Sequence, residues 1–241
     1  NSKILLFHTF LLLLYKRRRV QSCTFFGGER LKLLDLSLYV ITDRKIQKKS
    51  SEEVIEEAAD AGASVIQLRE KDLPTRLWVE EAQKAREVTR CKGIPLVIND
   101  RIDIALAVDA DGVHLGEEDL PLVLARKIAP SLIIGYSVST VEEARKAEKE
   151  GADYLGAGTV FPTSTKKDAG EPIGLERLKE IKKAVHIPVV AIGGINLSNL
   201  EEVLATGVDG VAVVSAIVGA ESIREATHSF RQKIELFRRK L

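Results

Sequence analysis

Eight short runs of aliphatic and β-branched residues recur along the chain from Leu38 onward. They are LYVIT (38–42), SVIQLR (64–69), PLVIN (95–99), GVHLG (112–116), LIIGYS (132–137), DYLGAG (153–158), PVVAIGG (188–194) and GVAVVS (210–215). Each run is near-continuously apolar rather than alternating, the pattern of a strand buried on both faces. Segments of helical periodicity separate them. In SSEEVIEEAADAG, Ser51, Val54, Ile55, Ala58 and Ala59 fall on one stripe. Helical segments open on capping residues, and three close on the same phrase: DAGAS (60–64), KEGAD (149–153) and ATGVD (205–209). The glycine stops the helix, and one small residue leads into the next run. A βα unit of roughly 20–30 residues, repeated eight times, predicts a single-domain α/β protein of the (β/α)8 TIM-barrel class. An open flavodoxin-like sheet would leave two or three strands without a place.

The barrel is expected over residues 35–241. Residues 1–34 differ: an apolar run from Ile4 to Leu14, broken by His8 and Thr9, precedes a basic cluster. That run is short for a membrane span, and its charge is on the wrong side for a secretory signal. The expectation is an extension outside the folded body, disordered or arising from a mis-assigned start, with a targeting role as the rival. Seven of the 36 basic residues and one of the 35 acidic residues fall there, leaving a body of 29 against 34. A net charge of +1 carries no polyanion signature, so nucleic acid is not an expected partner. Two cysteines, Cys23 and Cys91, build neither a disulfide framework nor a zinc site. A reducing cytoplasm is the expected compartment. No stable membrane span is expected, and nothing in the sequence sets an oligomeric state.

In a parallel barrel, functional groups cluster just after the strand C-termini. After the second run, Gln67, Arg69 and Lys71 alternate and so share one face of an extended segment. An amide and two cations there suit a diphosphate carrying a hydrogen-bonding ring. A solvated strand end paired with Glu70 and Asp72 is the structural alternative. Asn99 and Asp100 follow the third run, and Asp119 lies in the loop after the fourth. Two aspartates on adjacent loops near phosphate-binding cations fit Mg²⁺, which takes one or two carboxylates together with phosphate and water. Glu117 and Glu118 are rival ligands, and helix capping is the alternative for the aspartates. Ser137 follows the fifth run as a candidate hydrogen-bonding group. The stretch GTVFPTSTKKDAGEPIG (158–174) follows the sixth and sets Thr163, Ser164, Thr165 and Lys166 between glycines and prolines. GGIN (193–196) and SAIVGA (215–220) follow the last two runs, where this fold often binds phosphate. His114, inside a strand, reads as a satisfied core histidine, and Trp78 as packing. No Ser-His-Asp arrangement can be placed.

YVITDR, QLREK, ND, HLGEED, FPTSTK and VAIGGI occur in this order, and together they resemble the thiamine-phosphate synthase family over about Leu38 to Lys233. The resemblance implies a (β/α)8 transferase that joins hydroxymethylpyrimidine diphosphate to thiazole phosphate, releasing pyrophosphate by a dissociative route. It implies that Gln67, Leu68, Arg69, Glu70, Lys71, Asn99, Ser137 and Lys166 bind the pyrimidine diphosphate. Arg69, Lys71 and Lys166 would be the catalytic cations. Thr163, Ser164, Thr165, Gly194, Val214 and Ser215 would take the thiazole phosphate, and Asp100 and Asp119 would hold Mg²⁺. One departure is YSVST, where the family often has a threonine–histidine pair after the serine. The rivals are a thiazole tautomerase, a non-catalytic phosphate-ligand binder, and another phosphate-binding barrel whose acid–base pair cannot be placed here.

Overall fold

The computed structural model describes residues 34–163, 165 and 170–240. Eight parallel strands close into a barrel in sequence order: β1 (Leu38–Ile41), β2 (Val65–Leu68), β3 (Leu96–Asn99), β4 (Gly112–Leu115), β5 (Ile133–Val138), β6 (Tyr154–Ala157), β7 (Val189–Ile192) and β8 (Gly210–Val213). Between them run α1 (Ser51–Asp60), α2 (Thr75–Lys92), α3 (Ile102–Ala107), α4 (Leu122–Ile128), α5 (Val141–Glu150), α6 (Gly174–Ala184) and α7 (Leu200–Leu204). The short α8 (Ser215–Val218) and the long α9 (Ile223–Arg238) follow β8. Seven strands lie inside the expected runs and β5 overruns its run by one residue, Val138, because continuous apolarity is what a strand with helices outside and a packed interior requires. No helix among the described residues is long and apolar enough to cross a membrane.

Strand alternation divides the core in two. Leu38, Val40, Ile66 and Leu68 face outward into the layer between barrel and helices. Tyr39, Ile41, Val65, Val97, Ile133, Tyr154, Val190 and Ala212 pack together as a second cluster. Leu34, at the edge of the expected extension, packs partly buried against that second cluster. The remainder of the expected extension lies outside the described residues.

Helix starts act as the sequence implies at α1 and α5, whereas Asn199 at the start of α7 makes no side-chain cap. Ser50 and Glu53 form a reciprocal capping box at α1, and Thr140 caps α5 by accepting from the Glu143 N–H. Gly62, Gly151 and Gly207 adopt positive φ where their helices stop.

The residue that ends each repeated phrase has a second task. Ser64, Asp153 and Asp209 immediately precede β2, β6 and β8, and Asp111 holds the same place before β4. Each accepts the backbone N–H of a residue at the start of the preceding strand: Leu38 at 3.0 Å, Leu96 at 2.9 Å, and Ile134 and Val189 at 2.7 Å each. The three aspartates also take a cation from the helix before that strand. Arg86, Arg126 and Lys182 approach Asp111, Asp153 and Asp209 at 2.6 Å. These ties occur at every second strand, at the barrel end opposite the strand C-termini, where polar pairing serves stability. Replacing Asp209 with alanine leaves the Val189 N–H and Lys182 without this partner and should destabilise the fold by about 1–3 kcal/mol. Chemical denaturation measures this, and ligand affinity at the other end should not change.

Candidate active site

The strand C-termini open into a cavity of about 620 Å³ to which all eight strands or their following loops contribute. Gln67, Arg69 and Lys71 all line it, as their alternation requires. Arg69 is held in place from below and from the side. Its backbone N–H donates to Thr42 Oγ1 at 3.1 Å, and its Nη1 donates to Asp43 Oδ2 at 2.7 Å. Asp43 is 4% exposed, and its other oxygen accepts the Lys45 N–H at 3.0 Å, so one carboxylate fixes both the first loop and the guanidinium. Lys71 Nζ lies 2.6 Å from Asp100 Oδ2.

Asp100 sits at φ +63°, with the Arg101 N–H donating to Asn99 O at 2.7 Å across it. A non-glycine residue rarely adopts this conformation, and such strain collects at functional sites. Asp119 closes its own loop by accepting the Gly116 N–H at 2.7 Å. Burial raises its carboxyl above the ordinary aspartate range, the Gly116 N–H opposes this, and the neighbouring Asp100 charge raises it further. Glu117 and Glu118 are exposed at the rim, so Asp119 is the residue of this loop that faces Asp100. Two carboxylates that destabilise one another, with open cavity beside them, are a donor set suited to a hard divalent cation.

The same alternation that brings Gln67, Arg69 and Lys71 together turns Leu68 and Glu70 away. Leu68 is fully buried in the outer core layer. Glu70 is buried against the Arg44 guanidinium, with Arg44 Nε 3.1 Å from its Oε1. Neither lines the cavity, which corrects their expected place in the substrate-binding set.

The polar groups deeper in the barrel form a continuous chain. Gln67 Nε2 donates to Tyr39 Oη at 3.0 Å, and Tyr39 Oη lies 2.8 Å from Tyr154 Oη. Tyr154 Oη lies 3.1 Å from His114 Nδ1, and His114 Nε2 lies 3.0 Å from Ser137 Oγ. All five line the cavity, as does Asn99, which is paired in register with His114. Burial pushes both tyrosine hydroxyls well above the usual phenol range, so both keep their protons. His114 is hydrogen-bonded at both nitrogens, as a core histidine should be, yet it also faces the cavity. Two glycines give it room. A Cβ at Gly156 would lie 3.0 Å from His114 Cε1, and one at Gly135 would collide with the Tyr154 hydroxyl.

The far wall comes from β7 and from the loops after β6 and β8. Thr165 and Val214 line the cavity, whereas Thr163, Gly194 and Ser215 do not. Thr163 Oγ1 accepts the Thr165 N–H at 3.2 Å. Ser164 and Lys166 lie outside the described residues. The glycine pair has a packing reason: a Cβ at Gly193 would overlap Thr159, and one at Gly194 would sit 2.7 Å from Phe161 Cβ. Gly193 O also accepts the Phe161 N–H at 3.1 Å, so the pair seats the β6 loop directly on the β7 loop.

A family model described as thiamine monophosphate synthase matches residues 38–217. The chain belongs to the thiamine monophosphate synthase family. A thiamine-phosphate synthase of Pyrococcus furiosus is 56% identical over 200 residues, covering 83% of this chain and 95% of the relative. One of Chloroflexus aurantiacus is 47% identical over 209 residues, covering 86% and 97%. The solved thiamine phosphate pyrophosphorylase of Pyrococcus furiosus superposes with a TM-score of 0.79 at 53% identity, covering 85% of this chain and 98% of that one.

Asp43, Tyr39, Tyr154 and His114 were not among the expected site residues of this family member. TDR after the first run occupies the place that REK and ND occupy after the second and third, and that is the signal for Asp43. The tyrosines read as strand core, and only barrel closure brings them together. Replacing Arg69 with alanine should weaken binding of inorganic pyrophosphate about 10- to 100-fold, the worth of a charge-assisted hydrogen bond. Titration calorimetry checks this, and Asp43→Asn should show a smaller loss.

Proposed function

We propose that this barrel joins hydroxymethylpyrimidine diphosphate to thiazole phosphate, giving thiamine phosphate and pyrophosphate. The observation that carries the reading is one strand edge, Gln67–Arg69–Lys71, running from the polar barrel floor to the Asp100–Asp119 carboxylate pair. A ring with a diphosphate on an adjoining methylene needs both ends of that edge. The family membership supports the same reaction.

In the reaction the methylene C–O bond breaks and its electron pair leaves with pyrophosphate. The pyrimidine's amino group stabilises the resulting cation, and the thiazole nitrogen lone pair forms the new C–N bond. Mg²⁺, which Asp100 and Asp119 would hold, neutralises charge on the diphosphate when bound. Arg69 and Lys71 hold the departing oxygens, which requires each to exchange its aspartate for the incoming anion. Asn99 and Ser137, with Gln67, fix the ring so that the breaking bond faces the thiazole. Thr163, Ser164 and Thr165 receive the thiazole phosphate, with backbone groups of Gly194, Val214 and Ser215 completing that end. Lys166 reaches across to the diphosphate. No protein nucleophile or strong base is required, and the β6 loop keeps water from the cation.

A thiazole tautomerase would need neither the diphosphate cations nor the carboxylate pair, so Arg69, Lys71, Asp100 and Asp119 together favour the synthase reading. The deciding experiment mixes both substrates with Mg²⁺ and follows thiamine phosphate and pyrophosphate. Isomerisation of the thiazole alone would select the tautomerase. Asp119→Ala and Lys166→Ala should each cut turnover by orders of magnitude while the melting temperature stays near that of the unaltered protein. Turnover like that of the unaltered protein in both variants would refute the assignment.

A further inference from the structure

The chain of hydrogen bonds beneath the cavity has a direction, and the direction follows from counting protons. Gln67 Nε2 can only donate, so Tyr39 Oη is an acceptor in that bond. Tyr39 is 2% exposed, and its other hydrogen-bond partner is Tyr154 Oη at 2.8 Å. Its own proton therefore goes to Tyr154, because a buried hydroxyl proton without an acceptor is costly. Tyr154, 1% exposed, has then accepted, and its proton goes to the next neighbour, His114 Nδ1 at 3.1 Å. That nitrogen must present its lone pair. The imidazole proton is therefore on Nε2, which donates to Ser137 Oγ at 3.0 Å. Ser137 has accepted in turn, so its hydroxyl proton is left for the cavity, where the residue is exposed. At the other end, Gln67 uses its Nε2 within the chain and keeps Oε1 as an acceptor.

We propose that Tyr39, Tyr154 and His114 are positioning residues, which fix His114 as the Nε2–H tautomer and thereby present Ser137 as a donor and Gln67 Oε1 as an acceptor to the substrate ring. The ligand chemistry this selects is a heteroaromatic ring with an acceptor nitrogen toward Ser137 and an exocyclic amine toward Gln67. A ring with the opposite polarity would leave two donors or two acceptors facing each other. The cost of that mismatch is how such a site discriminates. Gly135 and Gly156 are part of the device, since a side chain at either position would displace the imidazole or Tyr154. The identity of the ring rests on the reaction proposed above; the polarity of the chain does not.

Two measurements test this. Nitrogen-15 NMR of the ligand-free full chain, with His114 assigned by His114→Gln, should show a protonated Nε2 and an unprotonated Nδ1. Tyr154→Phe and Tyr39→Phe remove one hydroxyl each at nearly constant volume. Tyr154→Phe should abolish the preference for the Nε2–H tautomer, and Tyr39→Phe should weaken it. In steady-state kinetics both variants should raise KM for the pyrimidine diphosphate about 3- to 10-fold, the worth of a neutral hydrogen bond, with KM for the thiazole phosphate unchanged. A protonated Nδ1 in the unaltered protein would overturn the proposal, as would an equal rise in both KM values in folded variants. If neither substrate is turned over, the proposed reaction fails, while the tautomer measurement still decides the polarity of the chain.

Discussion

Closure of the parallel sheet is the constraint on which the rest depends. With β1 hydrogen-bonded to β8, the barrel has no free edge, and alternate residues of each strand must face either the helices or an enclosed interior. Everything polar on the inner face must then find a partner there or at the open end. The lower end meets this with Ser64, Asp111, Asp153 and Asp209, each tying down the start of a neighbouring strand. Further up, it is met by the chain from Gln67 to Ser137. At the mouth, charged residues meet it by pairing with one another.

That pairing gives the site a particular character. Two of the cations that line the cavity are each held by a carboxylate: Arg69 by Asp43 and Lys71 by Asp100. A site built in this way keeps its cations in place without ligand, and leaves a pair of acids, Asp100 and Asp119, repelling one another beside them. An anion accompanied by a divalent cation relieves both conditions at once. Either ion alone relieves one.

The sequence carried the architecture further than the site. Periodicity alone was enough for eight strands, because the runs are apolar on both faces and the glycine-closed phrases mark where each helix ends. Most of the charged tier was also legible, since Arg69, Lys71, Asp100 and Asp119 all stand within a few residues of a strand C-terminus. Leu68 and Glu70 went the other way. A contiguous motif suggests a contiguous site, but a strand sends every second side chain to the opposite face. The glycine pair after β7 shows the same limit. Flexibility near a phosphate and close packing against Thr159 and Phe161 leave the same two letters in the sequence, and the packing is visible only in space.

What the sequence determined by itself is therefore the repeat, the number of strands, and the groups that each strand end can offer. Those properties are local, set by side-chain chemistry within one βα unit. Only the tertiary structure decided which of those groups meet. Tyr39 and Tyr154 are 115 residues apart, yet their hydroxyls are 2.8 Å from each other. Asp43 reaches Arg69, and Asp119 reaches Asp100, across neighbouring units. These contacts depend on barrel register, which is a property of the closed ring and of no single segment.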